Sequence, residues 1–250
     1  MTLTLPDLTG VVAGLDRPPL FATVSGAHLY GFPSADSDVD LRGVHLLPVA
    51  EVVGLRTGPE TVDHTWHDGG IEIDLVTHDL RKFARLLLKP NGYVLEQLLS
   101  PLVVTTSDTH AALVALAPRL VTSGHVRHYL GFAQNQRRLL DRSGELKPLL
   151  YAFRVLLTGI HLMRTGEVQA DLRELAGPAY LGELIDAKRD GEHRALAEVP
   201  GAPGRDRLDA DLDALTAELG EAAEASRLPE APTAFAELDD LVIQARLATR

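Results

Sequence analysis

Ser25-Gly26-Ala27-His28-Leu29-Tyr30-Gly31, followed by Ser37-Asp38-Val39-Asp40-Leu41-Arg42-Gly43, is the stretch whose reading decides the fold. Leu20–Val24 before it is a short apolar run ending in Ser25-Gly26, a strand leading into a turn. Val39, Leu41, Val44, Leu46 and Leu47 mark a second strand, stopped by Pro48. The polar Pro33–Ser37 stretch between them reads as a loop. Residues two apart on a strand point to the same side, so Asp38 and Asp40 project together. Two carboxylates that close repel unless a positive charge lies between them. A divalent cation is the natural partner, and oxygen ligands favour Mg²⁺ or Mn²⁺.

Downstream, Asp68-Gly69-Gly70 is a hairpin signal, and Ile71, Ile73 and Leu75 then alternate with Glu72 and Asp74 as a third strand. Glu72 and Asp74 repeat the paired-carboxylate arrangement. If the second and third strands are neighbours, three or four carboxylates converge, which suits two-metal phosphoryl transfer. Gly26 and Gly31 permit close approach of backbone to a phosphate, and a turn running into a helix presents N–H groups to it. The outline is that of a nucleoside triphosphate site. Thr77 or Asp79 caps a helix carrying Leu80, Phe83, Leu86 and Leu87; Pro90-Asn91-Gly92 breaks it, and Val94–Leu99 is a further short helix. Pro101–Thr105 is a candidate fourth strand.

From about Ser107 the periodicity is helical: Ala111–Leu120, His125–Leu140, Leu149–Met163, Tyr180–Lys188, Leu208–Glu224 and Phe235–Ala248. The expected class is α+β, a small mixed sheet with helices followed by an α-helical domain, divided into residues 1–106 and 107–250.

The 250 residues carry 24 Lys+Arg against 35 Asp+Glu, a net of −11, which excludes a generally basic nucleic-acid binder. The charge is uneven: residues 125–165 hold seven basic groups (Arg127, Arg137, Arg138, Arg142, Lys147, Arg154, Arg164) and two acidic ones (Asp141, Glu145). There is no Cys, so thiolate nucleophiles and Cys-ligated zinc are excluded. No apolar run approaches the ~18 residues of a spanning helix, and Met1–Asp16 lacks the basic start of a secretory leader. The expected setting is cytoplasmic, with no membrane partner; the oligomeric state is not legible.

Together these motifs resemble the DNA polymerase beta-like nucleotidyltransferase superfamily. The closest likeness is to its bacterial RNA repair pathway DNA polymerase beta branch, over about residues 20–190. The likeness rests on the glycine turn at Gly26–Gly31, the Ser37-Asp38-Val39-Asp40-Leu41-Arg42-Gly43 strand, and Asp74 followed by Leu80-Arg81-Lys82-Phe83, Asn91 and Leu95-Glu96. Lys147, Arg154 and Leu162–Glu167 resemble its helical pair. The resemblance implies that Asp38, Asp40 and Asp74 are the catalytic, metal-binding carboxylates, with Glu72 in reserve. Asp74 would also serve or orient the base. It implies nucleotide binding by Ser25, Gly26, Ala27, Tyr30, Ser37, Arg42, Lys82, Lys147 and Arg154, with ATP the first candidate and RNA a candidate acceptor through the basic 125–165 segment. The implied reaction is metal-dependent transfer of an NMP from an NTP to an acceptor hydroxyl.

One departure stands out: the superfamily's Ser after the glycine is Ala27. A hydrogen bond to a phosphate is thereby lost, worth about 1.5–3 kcal/mol, and Ser25 or backbone N–H groups are the candidates to replace it. The alternatives to transfer to RNA are a nucleotide- or partner-binding module that kept the fold, and transfer to a small molecule or protein. Plainer readings also apply. Arg42 serves equally as a salt-bridge partner for the Asp pair, Arg81 and Lys82 as helix surface charge, and Arg127, Arg137, Arg138, Lys147 and Arg154 as a solvated face. His64, His67, His125 and His128 read as surface histidines, Trp66 and Tyr93 as partial core, and Leu208, Leu212, Leu215 and Leu219 as the inner stripe of a packed helix with an acidic outer face.

Overall fold

The computed structural model describes residues 6–248; the first five residues of the N-terminal stretch, read above for a leader, lie outside it. The strands are β1 (Phe21–Val24), β2 (Val39–His45), β3 (Thr61–Asp68), β4 (Ile71–Asp79) and β5 (Val103–Thr105). The α-helices are α1 (Thr9–Ala13), α2 (Gly26–Tyr30), α3 (Ala50–Val53), α4 (Leu80–Leu87), α5 (Gly92–Leu98), α6 (Asp108–Leu116), α7 (Val126–Ser143), α8 (Leu146–Thr165), α9 (Leu181–Lys188), α10 (Arg205–Glu224) and α11 (Phe235–Ala248). The α+β class is what the structure has. The chain divides into two compact units.

The first unit comprises the described residues up to Leu29, Asp38–Leu120, and those from Pro232 onward. Its sheet has the order β3-β4-β2-β1-β5. The β2–β4 pairing is parallel, while β1–β2, β1–β5 and β3–β4 are antiparallel. Alternation gives the sheet two different faces. Ala22, Val24, Val39, Leu41, Ile73 and Leu75 form one apolar face, covered by Leu8 and Val12 around α1. Phe21 points the other way, meeting Phe83 of α4 edge-on at 5.5 Å and stacking on His110 of α6 at 4.2 Å. Asp40, Arg42 and Asp74 share that second face by parity. The caps are local: Asp79, Asn91 and Ser107 each accept a backbone N–H at the start of α4, α5 and α6.

The C-terminal helix α11 belongs to this sheet unit. Arg246 meets the buried Asp79 carboxylate in a two-pronged pair, 2.9 Å to each oxygen, and also donates to the Leu47 carbonyl. The same carboxylate accepts the N–H groups of Leu47 and Arg81, both at 3.0 Å. Residues 107–120 lie in this unit as well, and Tyr30–Ser37 lie in the other, so the compact units interleave along the chain.

The second unit, Tyr30–Ser37 with Val121–Ala231, is helical. Its centre is α8, packed against α7 and α10 with fifteen buried residues. This 20-residue helix does reach the length and hydropathy of a membrane span, contrary to the expectation that no run would. Its apolar window is 83% buried within the protein, which makes it the core of the unit. Leu208, Leu212, Leu215 and Leu219 form the buried stripe of α10. His125 is no surface histidine: it is fully buried, and its Nδ1 accepts the N–H of Thr122 at 3.1 Å.

Candidate functional site

Parallel pairing of β2 with β4 sets Asp40 directly opposite Asp74. Their carboxylates retain 21% and 31% exposure, enough for a ligand to reach both. One nitrogen, Arg42 Nη2, lies between them, donating to Asp74 Oδ2 at 2.9 Å and to Asp40 Oδ1. Arg42 Nη1 donates to the Asp74 carbonyl at 2.6 Å, and Nε meets Tyr93 Oη at 3.1 Å. Burial opposes the guanidinium charge, but Tyr93, Asp40 and Asp74 more than offset it and raise the Arg42 pKa. Thr65 donates to Asp74 Oδ1 at 3.2 Å.

The glycine turn is fitted to this pair. Gly26 has φ +61°, and a Cβ built there would lie 1.8 Å from Asp40 Oδ2. The Ser25 N–H donates to the Asp40 carbonyl at 2.8 Å. Ser25 is fully buried and its Oγ has no hydrogen-bond partner, while Ala27 is buried and offers no hydroxyl. Asp38, half-buried, stands one residue before β2 begins. Glu72 is exposed and faces His67 at 3.5 Å. Among the described residues no three His, Asp or Glu side chains are grouped closely enough to make a ready metal cage. The pair Asp40–Asp74 nonetheless has the donor chemistry of a hard-cation site, and the guanidinium bound between them shows that the position favours positive charge. At the start of α4, Lys82 Nζ is bound to Thr61 Oγ1, and Arg81 pairs with Glu60 at 3.1 Å.

Tyr30, Ser37, Lys147 and Arg154 belong to the second unit. The Arg154 guanidinium stacks over the Tyr30 ring at 3.8 Å, and both are buried. Ser37 Oγ donates to Glu192 Oε2 at 3.1 Å, and Lys147 pairs with Glu192 Oε1. Three of the seven basic groups of the 125–165 segment, Lys147, Arg137 and Arg164, are answered by acids within their own unit. Arg137 pairs with Asp213 and stands 3.7 Å from Asp209, and Arg164 meets Glu218 at 2.8 Å. Arg127, Arg138 and Arg142 are left exposed.

Sequence reasoning missed four participants. Thr65 lies on β3, a strand whose half-exposed pattern gives only weak alternation. Tyr93, read as partial core, also supports Arg42. Lys188 and Glu192 joined no motif, although Lys is scarce enough in this chain (four residues) for each one to be worth questioning.

Residues 8–244 match the profile of the RNA repair pathway DNA polymerase beta family. Among curated proteins, an uncharacterized protein of Methanocaldococcus jannaschii is 31% identical over 159 residues, covering 61% of this chain and 63% of that protein. The match thus spans less than two thirds of that relative's length. The uncharacterized protein YcgL of Bacillus subtilis is 27% identical over 192 residues, covering 71% of this chain and 72% of its own. A solved nucleotidyltransferase-like protein from Exiguobacterium sibiricum aligns over 87% of this chain and 72% of that one, at 13% identity and a TM-score of 0.31.

Proposed function

The chain belongs to the RNA repair pathway DNA polymerase beta family, and from that premise we propose that it is a metal-dependent nucleotidyltransferase acting in the cytoplasm. An acceptor hydroxyl attacks the α-phosphorus of an NTP, a new P–O bond forms, the bond to the bridging oxygen breaks, and pyrophosphate leaves. The observation that carries the reading is Asp40 facing Asp74 across parallel strands with Gly26 closed against Asp40.

In this reading Asp40 and Asp74, joined by Asp38 from the adjoining loop, hold Mg²⁺ or Mn²⁺, which when bound neutralises developing phosphate charge. Asp74 orients or receives the proton of the attacking hydroxyl. Arg42 keeps the two carboxylates together, and Tyr93 fixes Arg42. The Gly26 backbone approaches the phosphates because no side chain stands in the way. The sheet unit carries the chemistry; it differs from residues 1–106 of the linear division by taking in residues 107–120 and those from Pro232 onward and by leaving Tyr30–Ser37 to the helical unit. ATP is the first candidate donor, and RNA is the proposed acceptor, in keeping with the family's description.

A second reading is favoured by one observation. Ala27 lacks the hydroxyl and that of Ser25 is sealed inside the fold, so a nucleotide-binding module without transfer is the rival. Incubation with each labelled NTP, Mg²⁺ or Mn²⁺, and total RNA separates the two. Transfer predicts a labelled RNA and released pyrophosphate, both absent from a folded Asp40→Asn variant. Nucleotide binding with no labelled product and no pyrophosphate across RNA, protein and small-molecule acceptors sinks the transferase reading.

A further inference from the structure

Within the second unit, one carboxylate is held by four donors. Glu192 Oε2 accepts from Ser34 Oγ at 2.9 Å, Ser37 Oγ at 3.1 Å and Lys188 Nζ, and Oε1 accepts from Lys147 Nζ. Lys188 Nζ also donates to Ser34 Oγ at 3.0 Å. The Lys188 side chain is completely buried, whereas Lys147 is 37% exposed and Glu192 13% exposed, so the cluster opens to solvent on one side. Burying an ammonium is costly, and an ion pair in such a place seldom repays it in stability. Two ammonium groups and two hydroxyls converging on one anion are, however, the donor set that a phosphate group takes.

We propose that Ser34, Ser37, Lys147 and Lys188 form a phosphate cradle and that Glu192 is its built-in, displaceable occupant. The placement of Glu192 suits that role. It sits in a turn after α9, outside any helix or strand, so its side chain swings without breaking a ladder or a helical turn. Only its backbone is otherwise tied, its N–H donating to the Asp36 carboxylate at 3.1 Å. With Glu192 withdrawn, the cradle keeps two positive charges and two hydroxyls that are bonded to one another at 2.9 Å, with Ser37 Oγ also accepting the Ser34 N–H at 2.9 Å. An internal competitor lowers apparent affinity by the fraction of time it fills the site.

The test is calorimetric titration of the full chain with tripolyphosphate, ATP and adenosine. Wild type is compared with Glu192→Gln, Glu192→Ala, and Glu192→Gln combined with Lys147→Met. The expected result is a rise in affinity of about tenfold or more for phosphate-bearing ligands in both single variants, none for adenosine, and loss of the gain when Lys147 is also replaced. A gain for tripolyphosphate and ATP alike identifies phosphate from either source, and a gain for ATP alone identifies nucleoside-borne phosphate. Should a single variant melt lower, the rise in its Tm on adding tripolyphosphate is read instead and must exceed that of wild type. Unchanged or weaker affinity with no such recovery overturns the proposal and leaves Glu192 as a structural tie. Because binding is read without turnover, failure here leaves the transferase reading standing, and failure of transfer leaves this test intact.

Discussion

Gly26 and Asp40 are fitted to one another so closely that a Cβ on the glycine would lie 1.8 Å from the carboxylate oxygen Oδ2. The glycine is also at φ +61°, where a side chain is strained regardless of space. Gly26→Ala is therefore expected to destabilise the chain by about 1–3 kcal/mol and to push Asp40 away from Asp74. Urea unfolding and a labelled-NTP transfer assay measure the two effects. Retained transfer in a folded Gly26→Ala chain contradicts the idea that this turn shapes the site.

The two strands make Asp40 and Asp74 equivalent partners and leave Glu72 at the surface beside His67. Asp40→Asn and Asp74→Asn should each lower transfer by about a hundredfold or more, since even groups that merely orient metal ligands cost 10–100-fold. Glu72→Gln should change it by about twofold or less, as expected for an exposed pair. Reversal of that order would make Glu72 the third carboxylate.

Arg42 is the cation between two acids on one sheet face. A hydrogen bond to a charged group contributes about 1.5–3 kcal/mol, and because the two carboxylates stay partly solvated Arg42→Met should show a loss of that order. Added Mg²⁺ should raise the Tm of Arg42→Met more than that of wild type, because the carboxylates lack their guanidinium. Equal Mg²⁺ responses in thermal melts would count against a cation site at this pair.

Arg246 ties the end of the chain to the sheet unit through Asp79. Arg246→Met should cost about 3–5 kcal/mol because it strands a buried carboxylate. Combining it with Asp79→Asn should cost less than the two single changes added together. Additive losses in urea titrations would show that the pair is uncoupled.

His125 is buried, and burial, with a smaller contribution from His128, lowers its pKa from 6.5 to about 4. The unfolded chain binds this proton more readily, so the stabilising contribution is full above pH 6.5 and is lost as pH falls towards 4. Stability should decline over that interval, and His125→Gln should flatten the decline. A titration of unfolding free energy against pH in both chains gives the answer, an unchanged slope being the adverse result.

Local features were legible because local chemistry makes them. Asp68-Gly69-Gly70 turns β3 into β4, Asp79, Asn91 and Ser107 cap their helices, and α11 runs over the stretch its periodicity marks. The edge strand β3 was illegible because its side chains are mostly exposed and place little apolar demand on the sequence. The basic segment was read correctly as a charge count but not as a surface, since the acids that answer Arg137 and Arg164 lie on α10.

What the sequence by itself determined is the kit: a glycine turn, an Asp-x-Asp strand, a later Asp on a strand running into a capped helix, and a helical back half. Each depends on neighbours a few residues apart, where periodicity and capping act. Only the tertiary structure decided that β2 lies parallel beside β4, skipping β3, and so sets Asp40 against Asp74. It alone placed Arg246 on Asp79, 167 residues away, and Glu192 on Ser34 and Ser37, 158 and 155 residues away. Such pairings follow from how whole faces are buried and how each buried charge finds an opposite one, and chain-distant partners of that kind leave no local periodic trace.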